Sequence, residues 1–369
     1  MKTLTLHPSK SDSDISGYAE VSLRFEWLIV LSSLWLFTGL YLDGWAHNNI
    51  ADTIDSFFTP WHGVLYSGYA VTAAVLGLAY LSNVRKGYSW LRALPSEYML
   101  SWLGAIIFAV AGNLDFIWHS IFGFEKDVEA LVSPSHLILA VGGVMMMSGP
   151  LRTAWQKFAS KENKMPWRAL LSLFFVVGVF TFFTQFSNAF SHPQVFVGNK
   201  PAGDTYFWDV ALISYVLIPT VVLMSAILMI VLRWELPVGS LTFLIAGNSI
   251  LMFLMTWSYS HEQWQILIAA MVGGILADML LVALKPSVNR EKALRWFSFS
   301  VPAILSLSYF LSLIFTHGIW WNSNMWLGMI FFSGVTGLGL SWLAVPRFSS
   351  EAGDMEKNAS FLLRPTQHQ

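Results

Sequence analysis

The 369-residue chain contains no cysteine. Disulfides, thiolate catalysis and cysteine-ligated metal sites are thereby excluded, so any metal site must be built from histidine, carboxylate or methionine. Charge is scarce too: 12% of the residues are Asp, Glu, Lys or Arg, and the formal net charge is -1. That balance lacks the basic surface that a nucleic-acid partner requires. Residues 1–24 carry no apolar run of their own, so no cleavable signal peptide is expected. The first hydrophobic stretch then reads as a retained helix.

What the chain has in abundance is apolar length, with 55% of its residues hydrophobic. A spanning helix needs about 20 mostly apolar residues. Ten stretches qualify, near 25–44, 62–82, 98–119, 133–152, 168–191, 206–232, 237–257, 263–284, 296–316 and 324–345. The expected fold is all-α, a polytopic membrane protein of about ten transmembrane helices arranged as five hairpins. Its helical domain covers 25–345, between tails 1–24 and 346–369. The bilayer is therefore a partner of the whole chain.

Lysine and arginine gather at Arg85, Lys86 and Arg92; at Arg152, Lys157, Lys161, Lys164 and Arg168; at Arg233; and at Lys285, Arg290, Lys292 and Arg295. The intervening loops hold only Lys126 and Lys200. The positive-inside rule then predicts cytoplasmic termini and five outer loops.

Seven of the nine histidines fall at the expected outer ends of helices: His47, His62, His119, His136, His192, His261 and His317. The other two, His7 and His368, lie in the tails. His47, His119, His192, His261 and His317 follow one another at intervals of 72, 73, 69 and 56 residues, the spacing of a repeated helix pair. The first two pairs agree best. Residues 42–62, LDGWAHNNIADTIDSFFTPWH, place Asp43, His47 and His62 around a loop. Residues 114–136, LDFIWHSIFGFEKDVEALVSPSH, repeat the arrangement with Asp115, His119 and His136. Asp and His four apart share one helical face, and Thr59-Pro60 and Ser133-Pro134 read as an N-cap followed by proline at the first helical position. The third pair is a partial copy, with Asn188 and His192 in place of Asp and His and Asp209 near the second histidine's position. Eight tryptophans at the same level, Trp45 and Trp321 among them, read as an interfacial belt.

One Asp and two His from a hairpin can converge on one ion, and imidazole with carboxylate suits copper, iron, zinc or manganese. The candidate metal ligands are Asp43, His47, His62, Asp115, His119, His136 and His192. Asp52, Asp55, Glu125, Asp127 and Glu129 could add ligands or attract a cation. A lone interfacial histidine is more often structural, and this applies to His192, His261 and His317 singly. Met145, Met146 and Met147 point different ways round a helix and read as packing. Asp278 and Asn248, deeper in the bundle, could mark an ion path or bond a neighbouring helix.

The Asp-x-x-x-His followed by a second histidine is similar to the metal motif in the C subunit of the particulate methane and ammonia monooxygenases. There the motif lies in the membrane and binds copper. The resemblance implies that Asp43, His47 and His62 are ligands and, through the repeat, Asp115, His119 and His136. It covers the two stretches of 21 and 23 residues quoted above. Here 14 and 16 residues separate the paired histidines, more than in that family, and the motif is duplicated. The resemblance also implies partner membrane subunits.

The expected function is a copper- or iron-dependent membrane oxidoreductase acting on a small or lipophilic substrate. Copper is the first choice of metal. No separate general base stands out. A zinc-dependent hydrolase and a transition-metal transport or handling protein are the alternatives. A haem held by histidine pairs has no need of an aspartate four residues before each.

Overall fold

Thr59 and Pro60 open a helix as their chemistry requires. The Thr59 hydroxyl accepts from the His62 amide at 3.1 Å, and Pro60 occupies a position whose N–H has no helical partner. Ser22 and Asn322 cap two further helices in the same way. Ser133 stands at the corresponding place before Pro134, but its hydroxyl makes no cap bond and faces Ser135 instead.

The structure, a computed structural model, describes residues 17–50, 57–123, 128–158 and 163–346. The tail residues His7 and His368 lie outside them, as do Asp52, Asp55, Glu125, Asp127, Lys126 and Lys161. Among the described residues there are thirteen α-helices and no strand beyond two isolated bridges. They are α1 Leu23–Asn49, α2 Pro60–Arg85, α3 Ser96–Phe122, α4 Val128–Val132, α5 Pro134–Met147, α6 Gly149–Phe158, α7 Trp167–Phe183, α8 Thr205–Val231, α9 Ser240–Met255, α10 Trp257–Ser260, α11 Gln265–Leu284, α12 Glu291–Thr316 and α13 Ser323–Ala344.

The protein is an all-α polytopic membrane protein. Seven helices (α1, α2, α3, α8, α11, α12 and α13) are each long and apolar enough to cross a bilayer. Two more of the ten expected stretches are bent: α5 meets α6 at 45°, and α9 meets the short segment beginning with α10 at 93°. The tenth, expected over 168–191, is α-helical only to Phe183, and a 3-10 turn follows at Gln185–Ser187. Beyond it Thr184, Gln185, Ser187 and Asn188 offer side-chain polar groups that compete with helical bonding. Asn188 accepts from the Phe190 amide and makes a turn.

α1 packs along α2, α3 along α5, α9 along α11 and α12 along α13. The third expected pair is open, with α8 lying mainly against α13 and α7 against α1, α6 and α9. At one end of the bundle arginines tie the helices together. Arg168 pairs with buried Glu26 at 2.5 Å, joining α7 to α1. Arg152 donates to the Glu97 carbonyl at 2.7 Å and to the Ser101 hydroxyl at 2.7 Å, bracing α6 against α3 where α5 and α6 bend. Arg295 reaches the Val345 carbonyl at 2.5 Å and caps α13.

The first two hairpins cross in the same register. A Cβ on Gly68 would stand 2.6 Å from the Leu36 Cα, and one on Gly142 would stand 2.9 Å from the Phe108 nitrogen. Gly68 and Gly142 each lie six residues after the second histidine of their motif, and Leu36 and Phe108 each lie seven before the aspartate. Only glycine permits so close a backbone approach. The repeat is thus a repeat of packing as well as of sequence.

Candidate metal centre

Because the two hairpins cross alike, they present their motifs alike. Asp43 and His47 sit in the last turns of α1, and His62 in the first turn of α2. Asp115 and His119 sit in the last turns of α3, and His136 in the first turn of α5. In each set of three, one ligand atom per residue lies within 4.8 Å of the others. Asp115, His119 and His62 are buried, and the remaining three are partly so.

The individual separations carry more information. His62 Nε2 lies 3.4 Å from Asp43 Oδ2. In the second set His119 Nε2 and His136 Nε2 lie 3.5 and 3.1 Å from Asp115 Oδ1. Two donors each about 2.1 Å from one ion at a tetrahedral angle stand about 3.4 Å apart. The spacing suits ligands around a single cation, and equally a ring N–H pointed at the carboxylate.

Hydrogen bonds to the backbone orient three of the rings. His62 Nδ1 meets the Phe57 carbonyl at 2.6 Å, His136 Nδ1 the Ala130 carbonyl at 2.5 Å, and His119 Nδ1 the Gly123 carbonyl at 3.2 Å. A carbonyl oxygen can only accept, so Nδ1 donates in each case. In the neutral ring Nε2 then carries a lone pair, and that lone pair faces a carboxylate oxygen. Two acceptors brought together under burial require a cation between them, a metal ion or a proton on the ring. A donor Nδ1 bonded to a carbonyl is also how ligating histidines are held in metal sites.

The two sets differ beside the second histidine. Ser135 precedes His136 and donates to Asp115 Oδ1 at 2.8 Å. Trp61 precedes His62 and has no hydroxyl, and Asp43 Oδ1 is buried without a hydrogen-bond partner among the described residues. That orphaned oxygen fits a cation ligand, since an unsatisfied buried carboxylate oxygen is costly.

Both sets open on one cavity of about 110 Å³, bordered by Asp43, His47, His62, Asp115 and His136. Asn48 and Gln185, joined at 2.7 Å, add a polar wall, and Leu36, Leu65, Leu139, Met147, Val179 and Phe182 supply an apolar one. Phe57 lies between the sets, its ring 4.9 Å from that of His62 and 6.1 Å from that of His119. A wider groove between α2 and α3 shares His62, Tyr66 and Phe108 with the cavity.

His192 does not join either set. The helix that would align it with Asn188 ends earlier, and His192 instead precedes a 3-10 turn, with its ring 5.4 Å from that of Tyr215. Burial pushes its pKa below the ordinary histidine value. His261 and His317 bond locally, to the Trp257 carbonyl and the Thr316 hydroxyl. Asp209 accepts from the Trp321 indole at 3.0 Å, and exposed Glu129 lies on α4. Met145 and Met146 pack between helices, while Met147 reaches the cavity wall. Asp278 accepts from the Leu241 and Thr242 amides at 3.2 and 2.9 Å and from the Thr242 hydroxyl at 2.6 Å. It caps the start of α9 from the neighbouring helix. Asn248 donates to Thr181 at 2.7 Å.

Tyr66 and Gln185 border the site from outside the two quoted stretches, and Asn48 and Ser135 border it from within them without being among the Asp and His of the motif. The spacing held a signal for Tyr66, one turn after His62 on the same face of α2. Gln185 comes from a distant helix end and carries no such signal. No family model matches the chain, and neither does any curated protein or solved structure.

Proposed function

We propose that the protein is a multi-pass membrane metalloprotein in which each of the first two hairpins holds a transition metal ion through one aspartate and two histidines. The observation that carries this reading is the set of backbone-oriented rings whose Nε2 atoms face a carboxylate oxygen at 3.1 to 3.5 Å. The oxidation state-changing metals copper and iron fit the donor set, with copper preferred. The chemistry is oxidation–reduction on a small or lipophilic substrate, in which the bound metal would activate dioxygen. The apolar wall of the cavity supports it by limiting water around a reactive centre. The distribution of lysine and arginine supports an extracytoplasmic site with both termini cytoplasmic. Partner membrane subunits complete the proposal.

A transport reading is weaker on these observations. Asp278 is committed to the start of α9 and Asn248 to Thr181, which leaves few polar groups to mark a path inward. Metal content of the purified full chain, measured by mass spectrometry beside His47→Ala/His119→Ala, tests the proposal. Copper or iron at two per chain, lost in the variant, supports it. Zinc at the same stoichiometry replaces redox chemistry with hydrolysis or zinc handling. Wild-type protein without metal, and a variant that is merely less stable, overturns metal binding altogether.

A further inference from the structure

Among the described residues Tyr66 is the one phenol on the shared cavity wall, and the repeat does not account for it. It lies four residues after His62, so the two side chains leave the same face of α2. The matching position after His136 is Ala140, which borders the same cavity. One tyrosine therefore serves a space onto which two ligand sets open.

The ring is fixed on several sides. Phe57 and Phe108 stand 5.9 and 6.3 Å from it, centroid to centroid. On α3, Gly112 makes room: a Cβ there would lie 2.9 Å from Tyr66 Cε1. The hydroxyl is buried, makes no well-formed hydrogen bond among the described residues, and lies close to the Asp115 carboxylate, in the field of both Asp115 and Asp43. A buried hydroxyl without a well-formed hydrogen bond is costly to keep. Nearby Tyr69 shows the usual solution, donating to the Ala105 carbonyl at 3.1 Å.

Three protein ligands leave a four-coordinate ion one open position, and this position is where an exogenous ligand binds. We infer that Tyr66 donates its phenolic hydrogen to the small oxygen or nitrogen ligand that fills the open position on the metal. The ligand class is water, hydroxide or a small anion. Tyr66 is a second contact for that ligand, beside the ion itself, and so fixes its direction within the cavity. The inference rests on the metal reading above.

The test uses the full chain in detergent, loaded with cobalt(II) as a spectroscopic probe and titrated with azide. Cobalt content is measured first. Tyr66→Phe is expected to keep its cobalt and to bind azide about tenfold more weakly, the effect of losing one hydrogen bond to a charged acceptor. Tyr69→Phe should bind azide like the wild type. Cobalt bound in both proteins with equal azide affinity overturns the role of Tyr66 and leaves the metal site standing. Cobalt bound without any azide binding does the same. Failure of the wild type to bind cobalt overturns both.

Discussion

Ser135 donates to Asp115 Oδ1 at 2.8 Å, and the residue in its place beside Asp43 is Trp61. The two His/Asp sets are therefore copies with different carboxylates. Asp115 is held by a hydroxyl and faces two rings, whereas Asp43 keeps one oxygen without a partner among the described residues. Outer-shell partners orient ligands, and their loss typically weakens metal affinity about 10- to 100-fold. Ser135→Ala should weaken one of two metal sites by that order and leave the other unchanged. A two-site metal titration by calorimetry reads it. Equal weakening at both sites would mean that the cavity binds its ions as one unit.

The close crossing at Gly68 and Leu36 sets the distance between the helices that carry Asp43 and His62. Gly68→Val would place side-chain atoms against the Leu36 backbone, where a Cβ alone already stands 2.6 Å away. Overpacking of this kind costs about 1–3 kcal/mol and pushes helices apart. The expected result is loss of one metal per chain with the protein still folded and membrane-inserted. Gly63→Ala is the control, because its Cβ would meet nothing within 4 Å. Full metal content in Gly68→Val would separate the crossing from the site.

The sequence made the first two hairpins legible because local chemistry specifies them. Asp and His four apart, a capping Thr59 and a Pro at each second helix are all read from neighbours in the chain, and the structure brings those six side chains together in two groups that could hold a metal ion. The third hairpin was legible as apolar length but not as geometry. Its 24-residue stretch 168–191 ends in Thr184, Gln185, Ser187 and Asn188, and those polar groups stop the helix early. That shift keeps His192 apart from the two His/Asp groups and delivers Gln185 to the cavity. The bends at Ser148 and Thr256 are also tertiary outcomes. Arg152 fixes the first through bonds to α3, and Thr256 bonds to the Ser191 carbonyl at the second. Neither partner is near in sequence.

Asp278 looked equally suited to carrying ions and to bonding a neighbour. Its carboxylate takes three hydrogen bonds at the start of α9, where backbone N–H groups have no helical partner. Asp278→Ala should therefore act on stability. A lost cap costs about 0.5–2 kcal/mol. Thermal unfolding in detergent should show a lowered midpoint, and mass spectrometry should show unchanged metal content. A variant as stable as the wild type but with less metal would return Asp278 to an ion path.

His192 offers a pH test away from the ligand sets. Burial lowers its pKa in the folded protein, so near the ordinary value of about 6.5 the unfolded chain holds more protons at this position. Stability then rises with pH wherever the unfolded state binds the extra proton. The contribution of His192 is fully present above the ordinary histidine value. It declines as pH falls through that value towards the lowered folded one. His192→Gln has no such proton to take up. Its unfolding midpoint, compared with the wild type from pH 7.5 to about 5, should fall less steeply on acidification. Parallel curves for the two proteins would show that His192 is protonated equally in both states, and that its burial beside Tyr215 exerts no pull on the proton.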